Sequence, residues 1–478
     1  MMTLAPRQRP AYGWGDTTVP RPGFRARQEG VLAFLLGFLA FMPYPAIPAG
    51  NNTAVQLGSI ISIVVAAPLL LQSWKRKPYY LYVLLLLPAA VSVLHAGFGQ
   101  KTGLEVSAKA LLTWALATIT LLAGQRLLPR ASLQVMSGIA VATIVHAVVG
   151  AWQFYVFRTG GELPLIGLYV NPSFLSVQEN ATTIAKWIQR PFGLFPEPSA
   201  MSSSLAPWIL LWTAELFGLV KFAQRPSRSQ RVLFGIASAA GLLLIISSRS
   251  GHAMVTLAVV FLFGVIWVKN ARATARNFAT ILAVFGVLVP LVAWITLLAI
   301  GDRVREASGA NQSWQDRSQS LLIGFKLWTS AGFTDLLFGL GLGLTANVMS
   351  GQYGLEAIWS VLLTYIYETG FLGALAVTWV GVYLARVWRA TRFGVVFAGI
   401  LFVWLVGVTV TTSYEQLLPI WLSLAYFTVW PGVRESSRQG RSILPTRVPA
   451  DTSTPFHRGR LLTPSQSRDL LLTPWYGE

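Results

Sequence analysis

The sequence predicts an all-α polytopic membrane protein with about twelve transmembrane helices. Hydrophobic residues make up 54% of its 478 residues and charged residues only 12%, with a mean hydropathy of +0.56. A soluble protein would carry about a quarter charged residues. The apolar residues also gather into runs close to the ~20 residues that a helix needs to cross a bilayer. These two observations exclude a soluble enzyme, and they exclude a transmembrane barrel, whose strands alternate apolar and polar positions.

Each apolar run is predicted to be a helix, because a helix satisfies its own backbone hydrogen bonds in lipid. In chain order the runs fall at about 31–48, 54–73, 79–96, 106–124, 132–157, 199–220, 232–247, 251–268, 277–300, 361–386, 394–412 and 416–431. The chain therefore divides into an N-terminal tail over 1–30, a transmembrane domain over 31–431 and a C-terminal tail over 432–478. The last is rich in Arg, Ser, Thr and Pro, a composition typical of a flexible segment.

Charge patterning predicts the orientation. Basic residues follow every second run, and cytoplasmic connectors are enriched in Lys and Arg. Both termini are therefore expected in the cytosol, and the net charge of +19 needs no nucleic acid to explain it. The basic positions on that side are Arg21, Arg25, Arg27, Lys75, Arg76, Lys77, Arg126, Arg130, Lys221, Arg225, Arg228, Arg231, Lys269, Arg272, Arg276, Arg386, Arg389, Arg392 and the tail from Arg434.

Two segments on the opposite side, about 158–198 and 301–360, are longer than ordinary connectors. Loops of this length are usually functional or disordered. Both contain aromatic residues, glycines and isolated charges, so we expect ordered functional surfaces. The absence of cysteine excludes thiolate chemistry, and the four scattered histidines make a zinc site improbable. No metal and no cofactor is predicted.

Arg249 is the sharpest candidate among the arginines on the outer side. It lies in the short connector SSRSG (247–251), on the side where basic residues are disfavoured. One interpretation is a side chain that snorkels to the interface. The other is an anion ligand, because a guanidinium group binds phosphate oxygens in a bidentate manner.

The segment RPFGLFPEPSAMSSS (190–204) is a second candidate. Two prolines bracket Glu197 directly before a predicted helix, and prolines stiffen the start of a helix. Glu197 either complements the helix dipole or acts together with Arg190 at a site on the outer side.

The segment DRSQSLLIGFKLWTSAGFTDLLFGLGLG (316–343) is predicted to form an amphipathic helix on the membrane, with Arg317 at its start. The glycines at 339, 341 and 343 follow a helix rather than a strand, which argues against a nucleotide-binding fingerprint. We expect them to permit a turn or a close backbone approach.

Glu368 precedes a glycine-containing break in an apolar run of about thirty residues, YETGFLG over 367–373. An ionisable group at membrane depth is a functional hypothesis by default. The alternative is a carboxylate paired with a neighbouring helix. Tyr414 and Glu415, on the same side, are weaker candidates.

In chain order these motifs resemble those of the O-antigen ligase and polymerase superfamily. The resemblance covers about 190–386. Its motifs are an Arg-led turn before a helix, Ser-Arg-Ser-Gly after the next helix, an Arg-led helix ending in Gly-x-Gly-x-Gly, and Glu-x-Gly-x-x-Gly in a late helix. It implies an integral glycosyltransferase that uses undecaprenyl-pyrophosphate-linked glycans at the periplasmic face of the bacterial inner membrane. Arg190 and Arg249 would then hold the donor pyrophosphate, with Arg317 as a third ligand.

The ligases of that family carry a His-Asn pair about nine residues before the glutamate. Here those positions hold Trp359 and Ser360. Glu-Pro-Ser at 197–199 is more similar to the polymerases, so polymerisation of lipid-linked oligosaccharide repeat units is preferred over ligation to another acceptor. A chain-length regulator would be an expected partner.

Physical chemistry is consistent with that expectation. Arginines can neutralise the charge that develops on a departing pyrophosphate without a metal, and a carboxylate, Glu197 or Glu368, can take the acceptor's proton. Glu368 is slightly favoured as the base, with Glu197 orienting Arg190 or a sugar. A lipid or polysaccharide transporter is the alternative of a different class, although the charges cluster at one face and no internal repeat is visible.

Overall fold

The computed structural model describes residues 24–48, 54–71, 79–98, 104–165, 168, 190–222, 224–270, 312–353, 358–391, 394–411 and 417–429. Over these residues the chain is mostly helical and has almost no strand, so the all-α prediction is confirmed. Several predicted features lie outside the described residues: the helix over 277–300, Tyr414 and Glu415, and the two tails. Of the tails, only residues 24–30 are described.

The described helices, numbered in chain order, are α1 Phe24–Ala40, α2 Leu57–Leu71, α3 Tyr79–Phe98, α4 Leu104–Thr159, α5 Pro198–Leu216, α6 Arg228–Ser247, α7 Gly251–Asn270, α8 Gln312–Thr329, α9 Phe333–Phe338, α10 Thr345–Tyr353, α11 Val361–Ala390, α12 Gly394–Val406 and α13 Leu418–Val429. A π-helix over Gly407–Thr411 continues α12.

Four of the described helices are long and apolar enough to cross a bilayer: Tyr80–Phe98, Leu104–Thr159, Arg228–Ser247 and Val361–Arg389. Shorter apolar helices cover Leu57–Pro68, Gly251–Ile266, Gly394–Thr409 and Leu418–Val429. These helices indicate a membrane protein.

Element α4 contains two helices in succession, in agreement with the sequence prediction of separate helices over 106–124 and 132–157. The two helices meet at a bend at Ala131, where the backbone is not helical, with φ −138° and ψ 39°. Pro129 lies two residues before the bend, and a proline inside a helix removes a backbone donor and clashes with the preceding turn. At 1.5 Å per residue the two helices together measure about 84 Å along their axes, enough for two crossings of a core about 30 Å thick.

Helix α4 is also the centre of the bundle, since α1, α2, α3, α6 and α13 all pack against it. Its crossing with α1 is made by two glycines. A Cβ atom at Gly37 would collide with the carbonyl oxygen of Val135, and one at Gly138 would collide with that of Phe34. Such reciprocal small residues allow membrane helices to approach backbone to backbone.

A short hairpin replaces the ends of the first two predicted helices. Strands β1 (Ala46–Pro48) and β2 (Ala54–Gln56) pair antiparallel, with Ile47 opposite Val55. The pairing satisfies backbone groups in the connector between α1 and α2.

Two helices, α8 and α9, occupy the segment over 316–343 that was predicted as a single helix, and α10 follows them. Helix α8 begins before Arg317, at Gln312, and ends at Thr329. The chain then turns through Gly332, which is extended with φ −61° and ψ 158°, and this breaks the predicted helix. Arg317 therefore lies inside α8 rather than at its start. The structure describes its backbone and not its side chain.

Candidate functional site

The turn over residues 190–197, between Arg190 and Glu197, is fixed by a glutamine from helix α4. The backbone N–H groups of Phe192 and Gly193 both donate to the Gln153 side-chain oxygen at 2.9 Å. The Gln153 side-chain nitrogen donates back to the Gly193 carbonyl oxygen at 2.8 Å. Gln153 is fully buried, so these three bonds hold the turn where water does not compete.

His146 holds the next residue of the same turn. The backbone N–H of Leu194 donates to His146 Nδ1 at 3.0 Å, and His146 Nε2 lies 2.7 Å from the carbonyl oxygen of Phe41. Because Nδ1 accepts, Nε2 carries the proton and donates to Phe41, which is the neutral imidazole. The His146 ring also packs on Phe195, with 4.6 Å between ring centroids.

Gly193 allows this close packing. Its φ is +58°, in the left-handed region, and a Cβ atom there would lie 2.9 Å from His146 Nδ1. A residue with a side chain would therefore be strained and would also crowd the histidine.

Glu197 lies directly before helix α5, at the helix start that the flanking prolines predicted. It is extended, with φ −156° and ψ 162°, and Pro198 follows as the first helical residue. The side chain does not cap the helix; it accepts a close hydrogen bond from the Ser199 hydroxyl. The Glu197 carbonyl oxygen accepts from the Met201 N–H at 3.1 Å. A carboxylate at this end of a helix is stabilised by the helix dipole.

The Arg249 turn meets helix α5 through two serines. The hydroxyl oxygens of Ser202 and Ser248 lie 3.3 Å apart, within hydrogen-bond distance, and both residues are fully buried. Ser202 also donates to the Pro198 carbonyl oxygen at 2.8 Å, directly after Glu197. The structure thus brings together the SSRSG connector and the start of α5, two motifs 50 residues apart in the sequence.

Arg249 itself has an unusual backbone, with φ of +50°. Among the described non-glycine residues only Leu165 shares a positive φ. The Arg249 N–H donates to the Ile246 carbonyl oxygen at 3.1 Å, so the residue closes the end of helix α6. A non-glycine residue held in this region costs roughly 1–3 kcal/mol, and such residues cluster at functional sites.

His252 was not predicted from the sequence, although it follows Arg249 by three residues. It is fully buried at the start of α7, and neither ring nitrogen has a hydrogen-bond partner among the described residues. Gly407, the first residue of the π-helix, lies against both His252 and Ser203. π-helical turns are frequent at functional sites.

Glu368 forms a second group with the glycine-rich loop over 339–343. Its side-chain oxygen accepts a hydrogen bond from the Thr345 N–H at 3.4 Å, at the first residue of helix α10. Its carbonyl oxygen accepts from the Gly341 N–H at 3.3 Å and from the Ser92 hydroxyl. Two residues later Gly370 breaks helix α11, with φ 65° and ψ −152°, as the sequence predicted. Glu368 as a whole residue is only 4% exposed, so its carboxylate has little access to solvent.

The loop glycines behave as predicted. Gly339, Gly341 and Gly343 all have positive φ, at 91°, 110° and 76°. A Cβ atom at Gly339 would collide with the Glu368 carbonyl oxygen, so this position requires glycine for a close backbone approach.

Four of the five predicted site residues therefore fall into two groups in this structure, and the side chain of the fifth, Arg317, is not described. Arg190, Glu197 and Arg249 lie on the two turns that meet at α5, and Glu368 lies against the glycine-rich loop. Helices α5 and α11, which carry these groups, both pack against the π-helix Gly407–Thr411.

His146 and Gln153, like His252, were not predicted from the sequence. Their spacing of seven places both on one face of a helix, and two polar residues on one face of an apolar run were the available signal. Among the described residues no group of three His, Asp or Glu side chains could hold a metal ion. The chain matches no protein-family model and no curated protein sequence.

Proposed function

We propose that the protein is a metal-independent membrane glycosyltransferase that polymerises undecaprenyl-pyrophosphate-linked oligosaccharide repeat units at the periplasmic face of the bacterial inner membrane. One observation carries this proposal. The Ser202–Ser248 contact joins the Arg249 turn to the start of α5, directly after the buried turn from Arg190 to Glu197. Two arginines on rigid turns beside one helix N-terminus are well suited to a lipid pyrophosphate.

The proposed topology has about twelve spans, cytosolic termini and periplasmic segments at 158–198 and 301–360. Helix α6 supports this orientation. Its 20 residues measure about 30 Å, the thickness of a hydrocarbon core. Arg225, Arg228 and Arg231 lie at one end and Arg249 at the other. By the positive-inside rule the triple-arginine end is cytosolic, which puts Arg249 outside.

The proposed reaction needs little from the enzyme beyond charge and positioning. The acceptor sugar's hydroxyl oxygen attacks the anomeric carbon of the donor, and the bond from that carbon to the phosphate oxygen breaks. The electron pair leaves with the lipid pyrophosphate, and Arg190 and Arg249 stabilise the negative charge through charge-assisted hydrogen bonds. Arg317 remains a proposed third ligand.

The hydroxyl proton needs an acceptor, for which the sequence favours Glu368 slightly over Glu197. Glu197 is half-buried and bonded to Ser199. Glu368 is deeply buried, and its side-chain oxygen is bonded to the α10 backbone. These contacts support a role for Glu368 in ordering the glycine-rich loop. A different group would then accept the hydroxyl proton.

Purified protein in lipid nanodiscs, supplied with a lipid-linked repeat unit, tests the function. We expect a ladder of products and one lipid pyrophosphate released for each linkage. Arg249→Ala and Arg190→Ala should lose the ladder, whereas Arg225→Ala, a matched arginine in the cytosolic connector, should keep it.

Three outcomes would contradict the proposal. Transfer of one unit to a different acceptor, with no ladder, would indicate a ligase. Movement of the lipid-linked glycan between leaflets without pyrophosphate release would indicate a transporter. A full ladder from both arginine variants would remove the proposed donor site.

A further inference from the structure

We propose that His95, held by Asp335, is the group that takes the proton from the acceptor hydroxyl. His95 lies in the last turn of α3 and Asp335 in the first turn of α9, 240 residues apart in the sequence. The distance from His95 Nε2 to an Asp335 carboxylate oxygen is 2.8 Å. The sequence motifs gave no indication of this pair, because only the fold brings its members together.

The His95–Asp335 pair is partly open to solvent, unlike the other histidines of the described helices. The side chains of His95 and Asp335 are 19% and 26% exposed, whereas His146 and His252 are fully buried. A group that exchanges a proton with a bound hydroxyl must be within hydrogen-bond reach of it, so partial exposure is required. Phe338 packs on the His95 ring, with 5.5 Å between ring centroids, and restricts its rotation.

The pair borders the Glu368 group described above. Ser92, one turn before His95 on α3, donates to the Glu368 carbonyl oxygen. Ala96, the residue after His95, lies against Gly341 of the glycine-rich loop. Asp335 is linked to the same loop, because its carbonyl oxygen accepts from the Gly339 N–H at 2.8 Å. The end of α3, the start of α9 and the loop therefore form one surface beside Glu368.

The chemistry follows from the partner of each ring nitrogen. With Nε2–H donating to the Asp335 carboxylate, the neutral ring keeps its lone pair on Nδ1. As the acceptor oxygen bonds to the donor's anomeric carbon, its proton passes to Nδ1 and the pyrophosphate leaves with the electron pair of the broken bond. Asp335 stabilises the resulting imidazolium, and the proton then passes to water. A carboxylate that orients a histidine base in this way is a recurrent arrangement in catalysis.

This inference rests on the proposed function, and the test separates the two. His95→Gln retains an amide that can donate to Asp335 but cannot take a proton at this position. We expect its turnover under saturating donor and acceptor to fall about 100-fold or more, within the 10²–10⁴-fold range of general base catalysis, with donor binding and thermal stability retained. Asp335→Asn should fall by a smaller factor.

Two controls make the readout specific. His457→Ala, in the C-terminal tail, should leave turnover unchanged. Added imidazole should restore part of the turnover of His95→Ala, since a small base can fill the site. A side chain with a purely structural role would not be replaced in this way.

Two results would overturn the role of His95 and leave the proposed function standing. One is polymer formation by His95→Gln at the wild-type rate, and the other is a loss of turnover in His95→Ala that imidazole does not restore. A wild-type protein that forms no polymer would instead contradict the proposed function, and the role of His95 with it.

Discussion

Gln153 binds Gly193 on both of its backbone groups: its oxygen accepts the Gly193 N–H at 2.9 Å, and its nitrogen donates to the Gly193 carbonyl at 2.8 Å. An amide side chain is suited to this, because it carries a donor and an acceptor on one planar group. The turn that carries Arg190 and Glu197 is therefore attached to helix α4, in addition to its own internal hydrogen bond from the Phe195 N–H to the Phe192 carbonyl oxygen. Its position therefore depends on a residue that lies 37 places before Arg190 in the chain.

Replacing Gln153 by Ala should detach this turn. Three buried backbone groups would lose their partner, and each such group costs about 1–3 kcal/mol. We expect thermal unfolding in detergent to shift clearly downward and polymer formation to be lost. Gln153→Glu should be intermediate in stability, because its carboxylate can accept both N–H groups but cannot donate to Gly193. Gln224→Ala, at an exposed glutamine bonded to the Arg130 carbonyl, is the matched control. Equal stability of Gln153→Ala and wild type would show that the turn is held by other contacts.

Gly193→Ala tests the backbone requirement at the same turn. The substitution forces a side chain into the left-handed region, at about 1–2 kcal/mol, and brings a Cβ atom to 2.9 Å from His146 Nδ1. We expect a lower unfolding temperature and reduced activity. Gly235→Ala is the opposite case, because Gly235 lies inside α6 with nothing within 4 Å of a Cβ atom, and it should gain about 0.5–1 kcal/mol. If the two variants behave alike, the conformation of Gly193 does not matter.

Arg249 combines an unfavourable backbone conformation with the proposed phosphate contact, and substitutions can separate the two. Arg249→Gly should relieve the positive φ and stabilise the fold by about 1–2 kcal/mol, while abolishing most polymer formation. Arg249→Lys should keep the strain and the charge but lose the planar fork, so its activity should recover only in part. One charge-assisted hydrogen bond contributes about 1.5–3 kcal/mol, which corresponds to roughly ten- to a hundredfold in rate. A stable and fully active Arg249→Gly would leave the backbone strain without a functional reason.

The predicted orientation can be tested by single-cysteine labelling, because the chain contains no cysteine. Ser229 and Ser330 are both exposed, in the cytosolic and periplasmic regions of the proposed topology. An impermeant thiol reagent added to intact spheroplasts should label Ser330→Cys and leave Ser229→Cys unlabelled until the membrane is opened. The reverse labelling would invert the topology and place Arg249 in the cytosol.

Local signals predicted part of the site well. Prolines placed Glu197 at the start of α5, and the glycines at 339, 341 and 343 indicated a turn, because these residues act through their own backbone conformations. His146 could not be assigned, since its role depends on Phe41 and Leu194, which are distant in the sequence. The same holds for His95 and Asp335. The break between the helices on either side of Ala131 was also predicted, because Pro129 and the basic residues Arg126 and Arg130 interrupt the apolar pattern there.

The crossing of α1 and α4 through Gly37 and Gly138 has a consequence for biosynthesis. The first helix leaves the ribosome long before its partner, and at about 5–20 residues per second the ~100 intervening residues take roughly 5–20 s. During that interval its glycine-bearing face has no cognate surface within the same polypeptide. A nascent chain that stops before residue 138 therefore lacks the surface of α4 that packs against Gly37 of α1.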